Sequence, residues 1–154
     1  IVSLLGGKGK VVELEGIAGT SAARDRGQGF NDAIAGTEIE VVAKQVADFD
    51  RTQGLSVMEN ILQAQPEIDA VFAHNDEMAL GAQKAIEASG REIIIVGFDA
   101  TDDAVAAVKE GKMSATVAQQ PSLIGELGVE TAKKILDGES VEDFVPVDLQ
   151  LVTE

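Results

Sequence analysis

Five short runs of apolar, mostly β-branched residues recur along the chain, and a turn or a helix-start signal follows each of them. The runs cover Val11–Glu15, Ile39–Gln45, Ala70–His74, Ile93–Phe98 and Ser114–Ala118. Continuous apolar runs such as IIIVGF are typical of parallel strands, because both faces of such a strand are covered. The pattern therefore predicts five strands of a parallel sheet.

Segments with a helical period separate these strands, and Arg51–Gln65 and Asn75–Ser89 each place their apolar residues on one stripe. Side chains that cap helix starts precede the helical segments, and glycines follow them. The predicted starts lie at Thr20 or Ser21, at Asp50 and within Asp99–Asp102, and the predicted stops at Gly36, Gly90 and Gly111. Strands that alternate with helices over short links predict an α/β fold with a doubly wound parallel sheet.

The two ends of the chain follow a different pattern. The opening stretch IVSLLGG indicates the tail of a helix, and Pro121–Gly138 has the period of a full helix. Phe144–Val152 then alternates between apolar and polar residues, but Pro146 lacks the N–H group that a central strand would donate. We therefore expect this tail to form an edge or crossover strand.

Composition narrows the function classes. The 154 residues, 45% of them apolar, suffice for one domain with a real core. A formal net charge of −15 argues against binding to nucleic acid or to an anionic membrane surface, since both need clustered cations. The absence of cysteine excludes disulfides and Cys-ligated zinc. No apolar run is long enough to insert into a membrane. No signal peptide is visible and the chain does not begin with Met, so we expect a mature or engineered fragment.

Polar and aromatic side chains follow the predicted strands, where an open parallel sheet binds its ligands. They are Arg24 and Arg26 after the first strand, Phe49 after the second, His74, Asn75 and Asp76 after the third, Asp99 after the fourth, and Gln119 and Gln120 after the fifth. Amides and charged groups can pair with hydroxyls, while an aromatic ring covers a C–H face. This combination suits a polyhydroxyl ligand.

Each of these residues also has a simpler explanation. Asp50, Asp76 and Asp99 could be helix N-caps, and Phe49 could belong to the core. Arg24 and Arg26 could be surface charges, although a cation is unfavourable in the first turn of a helix. His74 is a poor catalytic candidate, because no nucleophile is spaced for it.

Nucleotide and metal sites find little support. The glycines after the first strand stand at Gly16, Gly19, Gly27 and Gly29, and this spacing matches neither a dinucleotide fingerprint nor a phosphate-binding loop. The acidic group Asp99, Asp102 and Asp103 lacks the spacing of a calcium loop. We therefore expect neither a cofactor nor a metal.

The chain closely resembles the bacterial D-ribose-binding proteins, which are receptors of ABC sugar importers in the type I periplasmic binding protein superfamily. The resemblance extends over essentially the whole sequence. The segments that carry it, in order, are ELEGIAGTSAARDRGQGF, VADFDRTQGLSVMENIL, AVFAHNDEMALGA, IIIVGFDAT, KMSATVAQQP and PVDLQLV. Members of this family have two similar α/β lobes with the sugar between them. This chain looks like the C-terminal lobe and the segment that follows it, beginning inside the first helix of that lobe.

The resemblance implies five ligand-binding residues. By analogy, Arg26 would hydrogen-bond sugar oxygens, Phe49 would stack on the ring, and Asn75, Asp99 and Gln119 would bind hydroxyls. The residues from the N-terminal lobe have no counterpart here. His74 stands where Gln is common in the family, and Ala100 stands where Gly is common. Neither of these two is expected to touch the sugar.

The resemblance also implies an organisation and a set of partners. Residues 1–119 would form the sugar-binding lobe with a truncated first helix. Residues 120–154 would form a crossover helix and an extended tail, packed on the same lobe or exchanged with a second chain. The full-length parent would be periplasmic, or extracellular and lipid-anchored in Gram-positive bacteria, and would deliver a pentose to an ABC permease.

Two other functions stay open from the sequence. Transcriptional regulators of the LacI type carry a related sugar-responsive core, although their DNA-binding headpiece is absent here. A flavodoxin-like enzyme domain is the third alternative, and it would need a base and a nucleophile that the sequence does not supply. We therefore expect a binding protein rather than an enzyme.

Overall fold

One six-stranded sheet organises the computed structural model, which describes residues 1–153. The order across the sheet is β2-β1-β3-β4-β5-β6, with β1 to β5 parallel and β6 antiparallel to β5. The strands are β1 (Lys8–Glu15), β2 (Glu38–Val46), β3 (Ala70–Ala73), β4 (Ile94–Asp99), β5 (Ala115–Ala118) and β6 (Gln150–Val152). The predicted doubly wound parallel sheet is confirmed.

Helices cover both faces of this sheet. They are α1 (Val2–Leu5), α2 (Ser21–Ile34), α3 (Arg51–Ala64), α4 (Asp76–Ser89), α5 (Asp102–Lys109) and α6 (Pro121–Leu136). One core cluster joins the sheet to α3, α4 and α5, and a smaller cluster on the other face includes Phe30 of α2 and Phe72 of β3. A cleft of about 790 Å³ lies on the smaller cluster's side, between α1, α2, the sheet and the tail.

Short polar side chains begin most of these helices. Thr20 caps α2 by accepting a hydrogen bond from the Ala23 amide at 3.2 Å, and Asp50 caps α3 from the Gln53 amide at 2.8 Å. The cap of α5 is Thr101, which lies within the predicted start region. These caps satisfy amide groups that would otherwise lack partners in the first helical turn.

Helices α3 and α4 touch at two glycines near their N-termini. A Cβ atom on Gly54 would lie 2.7 Å from the Met78 carbonyl oxygen, and one on Gly81 would meet the backbone of Arg51. Only glycine permits this approach. The contact fixes the ends of the β2–α3 and β3–α4 turns relative to each other, and both turns border the candidate site.

The last part of the described chain lies apart from the core. No residue of α6 is buried, and Val129 and Leu136 are 73% and 87% exposed. The tail pairs with the sheet only through Gln150–Val152, as an outer strand. This edge position agrees with the prediction, but the strand is shorter than the predicted segment, which contains Pro146 and therefore lacks one donor.

Candidate functional site

Five side chains at the carboxyl ends of the strands form one continuous series of contacts. Arg26 Nη2 donates a hydrogen bond to Asp99 Oδ1 at 3.0 Å, and Gln119 Nε2 donates to the same oxygen. The Arg26 guanidinium lies 5.8 Å from the centroid of the Phe49 ring. Asn75 Nδ2 donates to the Phe49 carbonyl oxygen at 3.3 Å. All five residues predicted as ligand contacts therefore meet at one edge of the sheet.

Arg26 is held by more than its ion pair. It lies in the second turn of α2, with its side chain 13% exposed, and Nη1 donates to the His74 carbonyl oxygen at 2.6 Å. Its guanidinium also lies over the Phe98 ring, 4.1 Å from the centroid. By contrast, Arg24 is exposed and pairs only with its neighbour Asp25. Arg26 is thus oriented by the protein itself, as a preformed binding site requires.

Phe98 is a site residue that sequence reasoning missed. Its position directly before Asp99, as the second-last residue of β4, is the signal that could have identified it. The side chain is half-buried and lines the large cleft beside Arg26. An aromatic face under a guanidinium adds cation–π attraction and restricts the rotamers of the arginine.

Asp99 uses only one of its two carboxylate oxygens within the described residues. Oδ1 accepts from Arg26 and Gln119, while Oδ2 accepts no hydrogen bond from residues 1–153. Burial raises the pKa of Asp99, against the opposing effects of the Arg26 charge and the hydrogen bonds from Gln119 and Arg26. An oriented carboxylate with one open oxygen can accept hydrogen bonds from ligand hydroxyls.

Phe49 lies on a turn with an unusual backbone. Asp48 and Phe49 have φ values of 52° and 59°, in the left-handed region that bulky residues rarely adopt. The tip of the Phe49 ring lies against Gly16, in the space that a Cβ atom there would occupy. The ring is half-buried and packs against the edge of the larger core cluster, so it combines a core contact with an exposed portion.

Asn75, and not Asp76, is the side chain that caps helix α4. Asn75 is the N-cap of α4, and its Oδ1 accepts from the Met78 amide at 3.0 Å. Asp76 is the first residue of that helix, and its side chain is fully buried. Of the three aspartates that could be N-caps, only Asp50 is one. Asp76 lies inside its helix, and Asp99 is the last residue of β4.

His74 is enclosed and fully engaged. Its Nδ1 accepts from the Gly16 amide at 3.3 Å, and its Nε2 lies 3.0 Å from Glu13 Oε1. Both side chains have no exposed surface. Burial opposes ionisation of Glu13, but the hydrogen bond from His74 and the nearby Lys44 outweigh it and lower the pKa of Glu13. A histidine ring with both nitrogens occupied and no exposure cannot reach a substrate.

The described residues offer no metal centre. Within residues 1–153, no three histidine or acidic side chains come together as a possible ligand set. No helix in this part of the chain is long and apolar enough to cross a membrane.

Backbone strain concentrates at the same edge of the sheet. The non-glycine residues with positive φ in the described chain are Asp48, Phe49, Asp99, Ala100 and Gln120. All of them lie in or beside the turns that follow β2, β4 and β5. Strained positions persist where surrounding contacts hold them, and they cluster at ligand sites. The strain therefore marks the edge that the polar network already identifies.

Comparison with known proteins places this arrangement in a family. Residues 1–140 match the model of the periplasmic binding protein domain. The chain belongs to the periplasmic binding protein family. Similar proteins include the ribose import binding protein of Haemophilus influenzae, 59% identical over all 154 residues, and that of Escherichia coli K12, 56% identical over 94% of this chain. The resemblance found in the sequence is confirmed.

Two solved solute-binding proteins of ABC transporters superpose closely on the chain. A solute-binding protein of Actinobacillus succinogenes with bound D-allose gives a TM-score of 0.94 at 35% identity, covering 99% of this chain and 54% of its own. One from Bacillus halodurans with bound myo-inositol gives 0.91 at 41% identity, with coverages of 99% and 54%. The chain also spans about half the length of the curated relatives it matches, 53% and 49% for the two ribose import proteins.

Proposed function

We propose that this chain is the sugar-binding lobe of an ABC-importer solute-binding protein, and that it binds D-ribose or a similar pentose without chemical change. The contacts would come from Arg26, Phe49, Asn75, Asp99 and Gln119. The observation that carries the proposal is the Asp99 carboxylate, which Arg26 and Gln119 orient through Oδ1 while Oδ2 stays open, with the Phe49 ring 5.8 Å from the same Arg26 guanidinium. Relatives named as ribose import binding proteins support the choice of sugar.

Each side chain has a distinct part in this proposal. The open oxygen of Asp99 accepts hydroxyl hydrogen bonds, and the remaining N–H groups of Arg26 donate to sugar oxygens. The exposed part of Phe49 covers a C–H face of the ring. His74 is enclosed, and within residues 1–153 no activated nucleophile adjoins the site, so the lobe would hold its ligand without a reaction.

A second lobe would complete the site. The exposed apolar side chains of α6 and of the tail are the surface on which an N-terminal lobe would pack. Without it, one face of the sugar remains in water, so the chain loses much of the burial that makes ligand sites tight. We expect ribose binding by this chain to be weaker than about 1 mM, which corresponds to roughly 4 kcal/mol or less.

The full-length parent would bind its ligand outside the cytoplasmic membrane, in the periplasm or at the surface of a Gram-positive cell. It would then pass the ligand to an ABC permease. In this chain, α6 and the tail would pack on their own lobe or exchange with a second copy. Light scattering distinguishes these arrangements, because exchange doubles the mass and a compact monomer excludes it.

Titration of D-ribose into ¹⁵N-labelled protein tests the proposal. We expect amide shift changes confined to the turns after β1 to β5, with saturation above the millimolar range. A matched control is Arg91→Ala, since Arg91 lies at the opposite edge and donates to the Leu62 and Gln65 carbonyl oxygens. This variant should show the same ribose-dependent shift changes as the wild type. If the site amides do not move at about 50 mM ribose, a concentration that detects dissociation constants well above 1 mM, the proposal fails for this chain.

A further inference from the structure

A buried carboxylate that makes none of the proposed sugar contacts lies directly beneath the site. Asp76 has no exposed surface, yet three donors converge on it. Oδ1 accepts from the Thr116 hydroxyl at 2.6 Å, and Oδ2 accepts from the Thr101 amide at 2.8 Å and the Thr101 hydroxyl at 3.3 Å. These partners belong to β5 and to the β4–α5 turn, so Asp76 joins three separate segments.

The sequence leaves room for this carboxylate in the adjacent strand. Gly97 of β4 has no side chain, and a Cβ atom there would collide with Asp76 Oδ1. It would also lie 3.0 Å from the end of Met113 and 3.2 Å from the Cβ of Ala79. Since this glycine has no positive φ, close approach is the reason for it at this position.

The contacts of Asp76 surround the most strained turn of the site. Asp99 and Ala100 have φ values of 117° and 53°. The Ala100 amide donates to the Thr116 hydroxyl at 3.2 Å, and that hydroxyl donates in turn to Asp76. Thr101, the next residue, is held by Asp76 through both its amide and its hydroxyl. The turn is therefore fixed immediately after Asp99.

We propose that Asp76 is a positioning residue for ligand recognition, which acts through Thr116 and Thr101 to hold the turn that aims the Asp99 carboxylate at Arg26 and Gln119. This inference rests on the proposed function, because it concerns the same site. Asp76 itself does not touch the ligand. Its hydrogen bonds stabilise the strained backbone of Asp99 and Ala100, and they thereby keep the Asp99 carboxylate at the carboxyl edge of the sheet.

The chemistry explains why a carboxylate serves here. Both of its oxygens accept hydrogen bonds, and the donors around them are two hydroxyls and one amide. An asparagine would present an NH₂ group to donors on one side and leave them unpaired in a buried place, which is unfavourable. A valine in place of Thr116 would keep the shape of the side chain but break the connection between Ala100 and Asp76.

Paired substitutions at Thr116 and Thr37 test this role. Thr37 is a matched control at the opposite edge of the sheet, where its hydroxyl also holds a turn by bonding the Ile34 carbonyl and the Ile39 amide. We expect Thr116→Val to weaken ribose binding at least fivefold and Thr116→Ser to restore it. We expect Thr37→Val to leave ribose affinity unchanged. Asp76→Asn, if it folds, should behave like Thr116→Val.

A second measurement needs no ligand. In free protein, three-bond couplings and Cα and Cβ shifts report the φ angles of Asp99 and Ala100. We expect Thr116→Val to move both residues away from positive φ, while Thr37→Val leaves them in place. Failure of wild-type protein to bind ribose would count against the proposed function alone, since the φ measurement still stands. Unchanged φ values in Thr116→Val would overturn the positioning role. So would a ribose affinity of Thr116→Val equal to that of the wild type, provided that the wild type binds ribose.

Discussion

The turns at the two edges of the sheet solve the same backbone problem with different residues. At the amino edge, where helices lead into strands, positive φ is supplied by glycine, at Gly6, Gly7, Gly36, Gly90 and Gly111. At the carboxyl edge, where strands lead into helices, positive φ falls mainly on residues with side chains, and Gly19 is the glycine among them. The amino edge is relaxed, and the carboxyl edge is strained.

This difference shows where the chain gives up stability for geometry. A left-handed conformation costs roughly 1–2 kcal/mol for a residue with a Cβ, and glycine avoids it. At Phe49 and Asp99 a glycine would remove the ring or the carboxylate that the site needs. Contacts with Gly16, Arg26 and Gln119 hold these side chains in return.

The ion pairs of the two edges differ in the same direction. At the amino edge, Lys8 and Glu38 pair at 2.9 Å with both side chains about three-quarters exposed. At the carboxyl edge, Arg26 and Asp99 pair with 13% and 28% exposure. An exposed pair contributes little to stability, whereas a partly buried pair with further hydrogen bonds is held in one geometry. The carboxyl edge is therefore preorganised.

The largest effect on this comparison is expected from Arg26→Lys. A lysine keeps the charge but loses the planar fork that bonds Asp99 and His74 together and stacks on Phe98. We expect ribose affinity to fall at least thirtyfold, or about 2 kcal/mol. NMR titration measures the change. Arg24→Lys is the control on the same helix, and an equal loss there would contradict the special role of Arg26.

The next effect tests the amino edge. Gly90 ends α4 with φ of 70° and has open space around its missing Cβ. Gly90→Ala should therefore lower the free energy of unfolding by about 1–2 kcal/mol through backbone strain alone. Urea unfolding measures this. Gly125→Ala in α6, where φ is not positive and space is also open, should instead add up to about 1 kcal/mol. Equal effects at both glycines would remove the strain argument.

Much of this edge was predictable from the sequence because strand ends in a parallel sheet converge. The apolar runs indicated the strands, and the polar residues after them indicated Arg26, Phe49, Asn75, Asp99 and Gln119. That these five touch in one series depended only on the topology. The family resemblance selected the same residues from a wider set that included Arg24 and Gln120.

The supporting residues could not be predicted in the same way. Asp76 follows Asn75 in the sequence and resembles a capping residue, but its partners Thr101 and Thr116 lie 25 and 40 positions away. Phe98 belongs to an apolar run, and only its position directly before Asp99 distinguishes it from core residues. Such roles depend on side-chain directions across neighbouring strands, which no local signal encodes.

A smaller effect is expected from Ala100→Gly at the carboxyl edge. Ala100 has φ of 53°, so glycine would relieve strain, while the greater freedom of the unfolded chain would offset part of the gain. We expect the free energy of unfolding to rise by at most about 1 kcal/mol. Ala132→Gly in exposed α6 should lower it by about 1 kcal/mol. Destabilisation of similar size at both positions would show that the turn at Ala100 is not strained.

The smallest effect concerns the charge of Asp99 and depends on pH. Burial raises the pKa of Asp99 in the folded protein, despite the opposing Arg26 charge and the hydrogen bond from Gln119. For an acid, a raised folded-state pKa means that folding favours the protonated form. The ionised carboxylate therefore lowers the free energy of unfolding above that pKa, and this penalty disappears as the pH falls below the ordinary range of the group.

Asp99→Asn removes this titration. We expect the variant to unfold with a slightly higher free energy than the wild type at pH 7. The difference should begin to shrink as the pH falls below the folded-state pKa of Asp99 and should vanish below the ordinary pKa of the group. Urea unfolding between pH 3 and 7, about the range in which carboxylates titrate, measures it. The variant could instead have a lower free energy of unfolding than the wild type, with a difference that grows with pH. The ion pair with Arg26 would then stabilise the carboxyl edge, and the argument that this edge gives up stability for recognition would be wrong.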